Sequence, residues 1–277
     1  MIREAMPLTL SIDNFIDAHR GDIAVERCGK LAISQVILDS ERKSKLYTDI
    51  NHERSLDIRK LAGAWYPKLF QLLSEGVDKN TIKRVFENAS FIAFNYDRCL
   101  EHFLCEALKC YYAIEGIEAQ ELVTGMRVVH PYGTVGHLRW QDSSGLSFGA
   151  EVNGQKLLQI SAQLRTFTEQ VTDEAARKKI AEIIGNADNL VFLGFAFHDQ
   201  NMALLKSSQP PKDRLVLATA LGVSESDCGV IKDDICSMLN GTFKPRNSNP
   251  QHTRIEIRND LKCVDLFDQY WRSPRAA

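Results

Sequence analysis

Phe91-Ile92-Ala93-Phe94-Asn95-Tyr96-Asp97 is the stretch that decides how this chain is read. A short apolar run breaks off in Asn-x-Asp. A helical pattern, Arg98 to Tyr112, follows at once, with Leu100, Phe103, Leu104, Ala107 and Leu108 on its apolar side. That order describes a buried strand handing polar side chains to its carboxyl end, where open α/β sheets bind ligands. An amide beside a carboxylate suits a ribose, because both hydrogen-bond to hydroxyls. The competing reading is local, with Asp97 capping the helix that follows.

Upstream of this stretch the pattern is helical. Ser11 is placed to cap a helix beginning at Ile12. From Val25 to Leu46, Leu31, Ile33, Val36 and Ile37 recur at helical spacing, and Glu41-Arg42-Lys43 falls on the solvated face. A second helix is expected from Ile58 through Trp65 and Phe70 to Leu73, broken only by Pro67 and stopped by Gly76. A third is expected from Asn80 to Asn88.

Downstream, strands and helices alternate. Strands are expected at Arg127–His130, Asn189–Phe197, Arg214–Ala220 and Arg254–Arg258. Helices are expected at Lys156–Phe167, Asp173–Asn186, Ser224–Leu239 and Leu261–Trp271. Residues 141–155 read as a loop or hairpin, and Gly241–Thr253 as a loop. Such alternation predicts an α/β fold: a Rossmann-like, mostly parallel sheet with helices on both faces and a helix-rich N-terminal layer. The layer would be residues 1–88 and the core residues 89–277.

Composition narrows the function classes. The chain has 277 residues, a net charge of -2, 25% charged and 44% hydrophobic residues. That balance is ordinary for a globular protein and gives no electrostatic case for nucleic acid or an anionic membrane. No apolar run reaches the roughly 20 residues that span a bilayer. The N-terminal stretch MIREAMPLTLSIDNF lacks the apolar core of a signal peptide, so a cytoplasmic location is expected. The seven cysteines include no Cys-x-x-Cys pair, which argues against a disulfide framework and a structural zinc. No metal is expected. A phosphate-loop Gly-Lys-Ser/Thr and a His-Glu-x-x-His are missing from the sequence, and Gly145-Leu146-Ser147-Phe148-Gly149, the one Gly-x-Ser-x-Gly match, falls in the stretch read as a loop or hairpin and not at a strand-to-helix elbow.

Three segments carry the chemistry, each after an expected strand: Phe94-Asn95-Tyr96-Asp97-Arg98, continuing to Glu101-His102; Val129-His130-Pro131-Tyr132-Gly133-Thr134-Val135-Gly136; and Leu193-Gly194-Phe195-Ala196-Phe197-His198-Asp199-Gln200-Asn201. In one parallel sheet they would gather at one edge. Together they resemble the sirtuin-like NAD-binding family, in particular its bacterial branch. That branch has a strand ending in Asn-Tyr-Asp, then a His-rich strand end before Gly, then Leu-Gly-x-x-Phe. The resemblance covers roughly residues 91–201. It implies that Asn95 sits beside the nicotinamide ribose as a catalytic asparagine, with Asp97 contacting the ribose or orienting Asn95. It implies that Tyr96 packs beneath them, and that Tyr132, Gly133, Gly194 and Phe195 lie along the cofactor. The ligand would be NAD or ADP-ribose, and the reaction cleavage of the nicotinamide–ribose bond.

The chain also departs from that family. Nothing like its Gly-Ala-Gly-x-Ser loop, which cradles pyrophosphate, precedes Pro7. The expectation is a chain beginning after that loop, with weakened NAD binding and a bare sheet edge that favours pairing between copies. Tyr132 stands where the family has its histidine base. His130, two residues earlier, is the candidate replacement, and the alternative is that no base exists. The zinc cysteines of the deacetylating sirtuins are missing, which favours water as the acceptor. Two readings stay open: an NAD glycohydrolase, or an inactive or incomplete sirtuin-like module that binds ADP-ribose weakly or serves protein interactions. Glu101, His102 and His198 read as helix-surface or local turn residues.

Overall fold

The computed structural model describes residues 2–9, 11–48, 56–166, 169, 173–207, 212–240 and 253–272. The chain forms two compact units, one of Met1–Ala62 with Gly76–Thr172 and one of Gly63–Glu75 with Asp173–Ala277. The division expected at residue 88 falls inside the first unit.

Helices α1 (Ile2–Ala5), α2 (Ile12–Ala18) and α3 (Ile23–Lys43) open the chain. Ser11 Oγ accepts the Asn14 N–H at 3.1 Å, so the expected cap of α2 is made. Asp22 does the same for α3, accepting from Ala24 and Val25. α3 ends three residues short of Leu46. Ser44 adopts extended backbone there, and its hydroxyl takes the Leu46 N–H. The expected helix from Ile58 to Leu73 is split into a 3-10 turn, Ile58–Leu61, and α4 (Trp65–Ser74). Gly63, at φ +85°, breaks it. Pro67 lies in the first turn of α4, where its missing N–H has no helical partner to lose. The helix expected over 80–88 reduces to the 3-10 turn Ile82–Arg84, because Asp78 captures the Asn80 and Thr81 N–H groups in a side-chain turn.

In the first unit, β1 (Ser90–Ile92) pairs in parallel with β2 (Arg127–Val129), in the register Phe91 to Val128. Two helices make the crossover that parallel strands require, α5 (Cys99–Tyr112) and α6 (Gly116–Thr124). The ladder ends with Ala93 N–H on the Val129 carbonyl at 2.9 Å. The strand is therefore shorter than the apolar run, and Phe94–Arg98 is a turn. α7 (Gly154–Ser161) follows a turn-rich stretch and is capped by Asn153. Ile16, Ile33 and Leu164 form one core cluster; Leu38, Val135 and Ile160 form another. Tyr96 packs against both.

The second unit holds α4 and α8 (Glu174–Asn186), β3 (Asn189–Phe192), α9 (Asp199–Leu204), β4 (Leu215–Thr219), α10 (Glu225–Leu239), β5 (Arg254–Arg258) and α11 (Cys263–Tyr270). Its three strands are all parallel, in the order β3-β4-β5. Central β4 is the most apolar, with Val216, Leu217 and Ala218 all buried, as a strand covered on both faces must be. Ser224 caps α10 through the Asp227 N–H. The strand expected to run to Phe197 stops at Phe192, and Leu193–His198 forms a turn with Gly194 at φ +59° and Phe197 at φ +52°. The expected loop over 241–253 lies outside the described residues apart from Thr253.

The protein is thus a mixed α/β chain whose described strands form parallel sheets of two and three strands. Among the described residues no helix is long and apolar enough to cross a membrane.

Candidate functional site

The turn after β1 is held from below by an ion pair between Arg98 and Glu41, a residue expected on a solvated face. Glu41 is 1% exposed and so is Arg98. The Glu41 carboxylate accepts from the Arg98 main-chain N–H at 3.0 Å, from its guanidinium Nε at 3.1 Å and Nη2 at 2.5 Å, and from Gly149 N–H at 2.9 Å. The guanidinium also donates to the carbonyls of His137, Leu146 and Ser147. A buried ion pair repays its desolvation only when its remaining donors and acceptors are occupied, as they are here. Its effect is to fix the start of α5 and hence the turn that ends in it.

On that base the Asn95–Asp97 turn is built atom by atom. Asp97 Oδ1 accepts the Cys99 N–H at 3.0 Å, which steadies the entry to α5, but the cap position expected for Asp97 is taken by Arg98. The Tyr96 carbonyl accepts the Val135 N–H at 3.0 Å, tying the first motif to the segment after the second. The Tyr96 hydroxyl lies 3.1 Å from both Asp13 Oδ1 and the Arg165 carbonyl. Burial pushes the Tyr96 phenol far above its ordinary range, and Asp13's charge adds to it. Burial also raises Asp13, against the Tyr96 hydrogen bond. The Asn95 side chain is exposed and makes no hydrogen bond among the described residues.

The second motif meets the first at His130. Its Nδ1 lies 3.4 Å from the Asn95 carbonyl and its Nε2 lies 2.8 Å from Glu101 Oε1. Both neighbours are acceptors, so both ring nitrogens must carry hydrogen, or Nδ1 must donate while a protonated Glu101 donates to Nε2. In either placing of the protons no ring nitrogen is left to accept another. Burial opposes the charge, but the Glu101 hydrogen bond and charge, the Asn95 carbonyl and Asp97 outweigh it and raise the His130 pKa. While these contacts hold, His130 is not the free base expected of it.

Glu101 itself is 4% exposed, against the expectation of a helix-surface residue, and its Oε2 is buried without a hydrogen-bond partner among the described residues. His102 is buried as well, stacked on Phe148 with ring centroids 4.1 Å apart and donating to the Leu46 carbonyl. Burial holds its pKa below the ordinary imidazole value.

Tyr132 is a buried packing residue in contact with the Phe94 and Tyr96 rings. Burial, with Asp13's charge, pushes its phenol up to about 12, which ends any role as a base near neutrality. Gly133 has φ +79°, and a Cβ there would stand 2.6 Å from the Gln163 carbonyl oxygen. The close approach that demands glycine is thus made by the chain itself. Tyr132 O accepts the Arg165 N–H, so residues 163–165 lie along this motif.

The first two motifs therefore come together in the first unit: Asn95, Tyr96, Asp97, His130, Tyr132 and Gly133. Gly194 and Phe195 belong to the second unit. There the Gly194 N–H donates to Thr219 Oγ1 at 2.9 Å, and Phe195 packs in a three-ring cluster with Phe192 and Phe197. His198 is the residue before α9, and its side chain makes no cap bond. Among the described residues no group of three or more His, Cys, Asp or Glu could hold a metal ion.

Glu101 and Glu41 are the residues that sequence reasoning missed, and both carried a signal. Glu101 shares a helix face with Leu104 and Leu108, and Glu41 shares one with Ile37 and Leu38. A carboxylate inside an apolar stripe is costly unless it has a buried partner.

In comparison with known proteins, no family model matches the chain, and neither does any curated protein or solved structure.

Proposed function

We propose that this protein binds NAD and cleaves its nicotinamide–ribose bond with water, as its likeness in motif to the sirtuin-like family implies. On this reading the fold is Rossmann-like α/β, mostly parallel with helices on both faces, in a cytoplasmic protein. An antiphage role follows by analogy alone. The observation that carries the reading is Asn95: an exposed amide with no hydrogen-bond partner among the described residues, on a turn held at the Asn95 and Tyr96 carbonyls and the Asp97 carboxylate, at the carboxyl end of a parallel strand pair. Polar side chains on pinned backbone and free of internal partners are what ligand hydroxyls require.

The reaction asks little of a base. Nicotinamide leaves with the glycosidic electron pair, which neutralises its ring nitrogen. The ribose passes through an oxocarbenium-like state, water adds at the carbon left behind, and its proton goes to solvent. The products are nicotinamide, ADP-ribose and a proton. Asn95 would orient the water or the ribose hydroxyls, with Asp97 Oδ2 beside it, and orientation is where most of such a rate gain arises.

The engaged His130 and the buried Tyr132 phenol favour the second reading, a module that binds ADP-ribose without turnover. Nicotinamide release by the full chain, with Asn95→Ala beside it, tests the first. Release that vanishes in the variant supports the glycohydrolase. Release no greater than that of the variant removes it, and calorimetric binding of ADP-ribose without release selects the module.

A further inference from the structure

Glu101 stands outside the reaction sketched above, yet it is a buried carboxylate with one oxygen on His130 and the other without a partner among the described residues. We propose that Glu101 and His130 are positioning residues for Asn95: Glu101 orients the imidazole, and the imidazole holds the Asn95 main-chain carbonyl so that the Asn95 side chain faces ligand. The inference rests on Asn95 being the ligand-facing residue.

Four observations converge on it. The chain Glu101 Oε1, His130 Nε2, His130 Nδ1, Asn95 O is continuous at 2.8 and 3.4 Å. Glu101 lies in the first turn of α5, whose start is fixed by the Glu41–Arg98 pair, so the carboxylate is held at its root. The neighbouring atoms of the turn are engaged too, at the Cys99 and Val135 N–H groups. Finally, the side chain of Asn95 is exposed and makes no hydrogen bond among the described residues. A pair serving packing alone would have no reason to address the backbone of the exposed residue.

The charged groups acting on His130 are Glu101, on α5, and Asp97, in the turn; Asn95 supplies a neutral carbonyl. Both carboxylates favour the doubly hydrogen-bonded ring. The hold on Asn95 therefore weakens as His130 loses its proton, and Glu101→Gln brings that loss to lower pH.

The test uses the full chain and two readouts. NMR follows the His130 ring and the Asn95 carbonyl carbon through a pH titration, without ligand. In the wild type the Asn95 carbonyl is expected to move with the ring titration. In Glu101→Gln, a change of one atom, the ring should titrate at lower pH and the Asn95 shift should move with it. A carbonyl that ignores the ring titration overturns the inference, whatever the ligand result. ADP-ribose binding, measured by calorimetry, completes a cycle of Glu101→Gln, Asn95→Ala and the double variant. Loss of a charge-assisted bond predicts about tenfold weaker binding in Glu101→Gln. The double variant should bind no more weakly than Asn95→Ala alone. Additive losses would mean that Glu101 acts independently of Asn95 and overturn the inference. If the wild type binds no ADP-ribose, the proposed function fails, and the carbonyl titration alone decides the positioning role.

Discussion

Two strand ends in this protein look alike in sequence and are built from different physics. After β1, the chain turns through Asn95-Tyr96-Asp97 over buried ionic groups: Glu41 with Arg98, and Glu101 with His130. After β3, it turns through Gly194-Phe195-Ala196-Phe197 on one hydroxyl, Thr219, and three phenylalanine rings whose centroids lie 5.0 to 5.4 Å apart. The first turn spends charge to fix a backbone and leaves an amide free. The second spends apolar area and presents no polar side chain from Leu193 to Phe197. A strand followed by a turn marks where a ligand edge can be, and the ionisable groups beneath the turn mark where chemistry has been prepared.

The contrast can be broken at several strengths. Removing one partner of the buried pair, Arg98→Ala, should cost about 3–5 kcal/mol, because the Glu41 charge stays behind. Chemical denaturation of the full chain measures it, and the pair Glu41→Leu with Arg98→Met should recover most of the loss. No such variant exists for the turn after β3. The two glycines come next. Gly133→Ala should cost about 3 kcal/mol, the sum of left-handed strain and overpacking against the Gln163 carbonyl. Gly194→Ala should cost about 1 kcal/mol, since its left-handed strain comes without a clash, the nearest atom being Cys263 Sγ at 4.0 Å. Equal losses would contradict the packing described.

Glu101→Gln separates the two ends by pH. His130 has a raised pKa in the folded chain, so its stabilisation is complete below the unfolded imidazole value, about 6.5, and is lost as pH rises through the folded value. At pH 6 the variant should be less stable by about 2 kcal/mol, with the gap narrowing at higher pH. His102 works the other way: its folded pKa is lowered, so its contribution is present above about 6.5 and lost as pH falls. A gap that widened with pH would refute the ionic reading of His130. The smallest effect is expected at Asn95 itself. Asn95→Ala should change stability by no more than about 0.5 kcal/mol, as for an exposed side chain without partners. A large loss in thermal unfolding would give Asn95 a structural role and weaken its standing as a ligand group.

Local signals in the sequence were reliable where the chemistry is local. Ser11 and Ser224 begin their helices, Gly76 ends one with φ +69°, and the runs around Phe91, Val128, Val191 and Val216 became strands. Strand ends were overestimated because apolar character continues past the last ladder bond, as at Phe94 and Phe195. α6 escaped notice, having nine residues and no side-chain cap. The site was half legible. Asn95 and His130 were visible as polar residues at strand ends. Their supports were not, because Glu41 lies 57 residues from Arg98 and Glu101 lies 29 from His130. Sequence distance hides such a pair, and only a carboxylate among leucines hints at it.

The Arg98 guanidinium has a consequence beyond the site. It takes the carbonyls of His137, Leu146 and Ser147, while Glu41 takes the Gly149 N–H and Arg42 takes the Gly149 and Ala150 carbonyls. Much of this turn-rich segment thus has its main-chain polar atoms occupied, although almost none of it is helix or strand. To a protease, which needs a stretch of backbone free to be bound in extended form, residues 137–150 would be closed ground. Its resistance to such an enzyme would then rest on three side chains, Arg98, Glu41 and Arg42, more than on secondary structure.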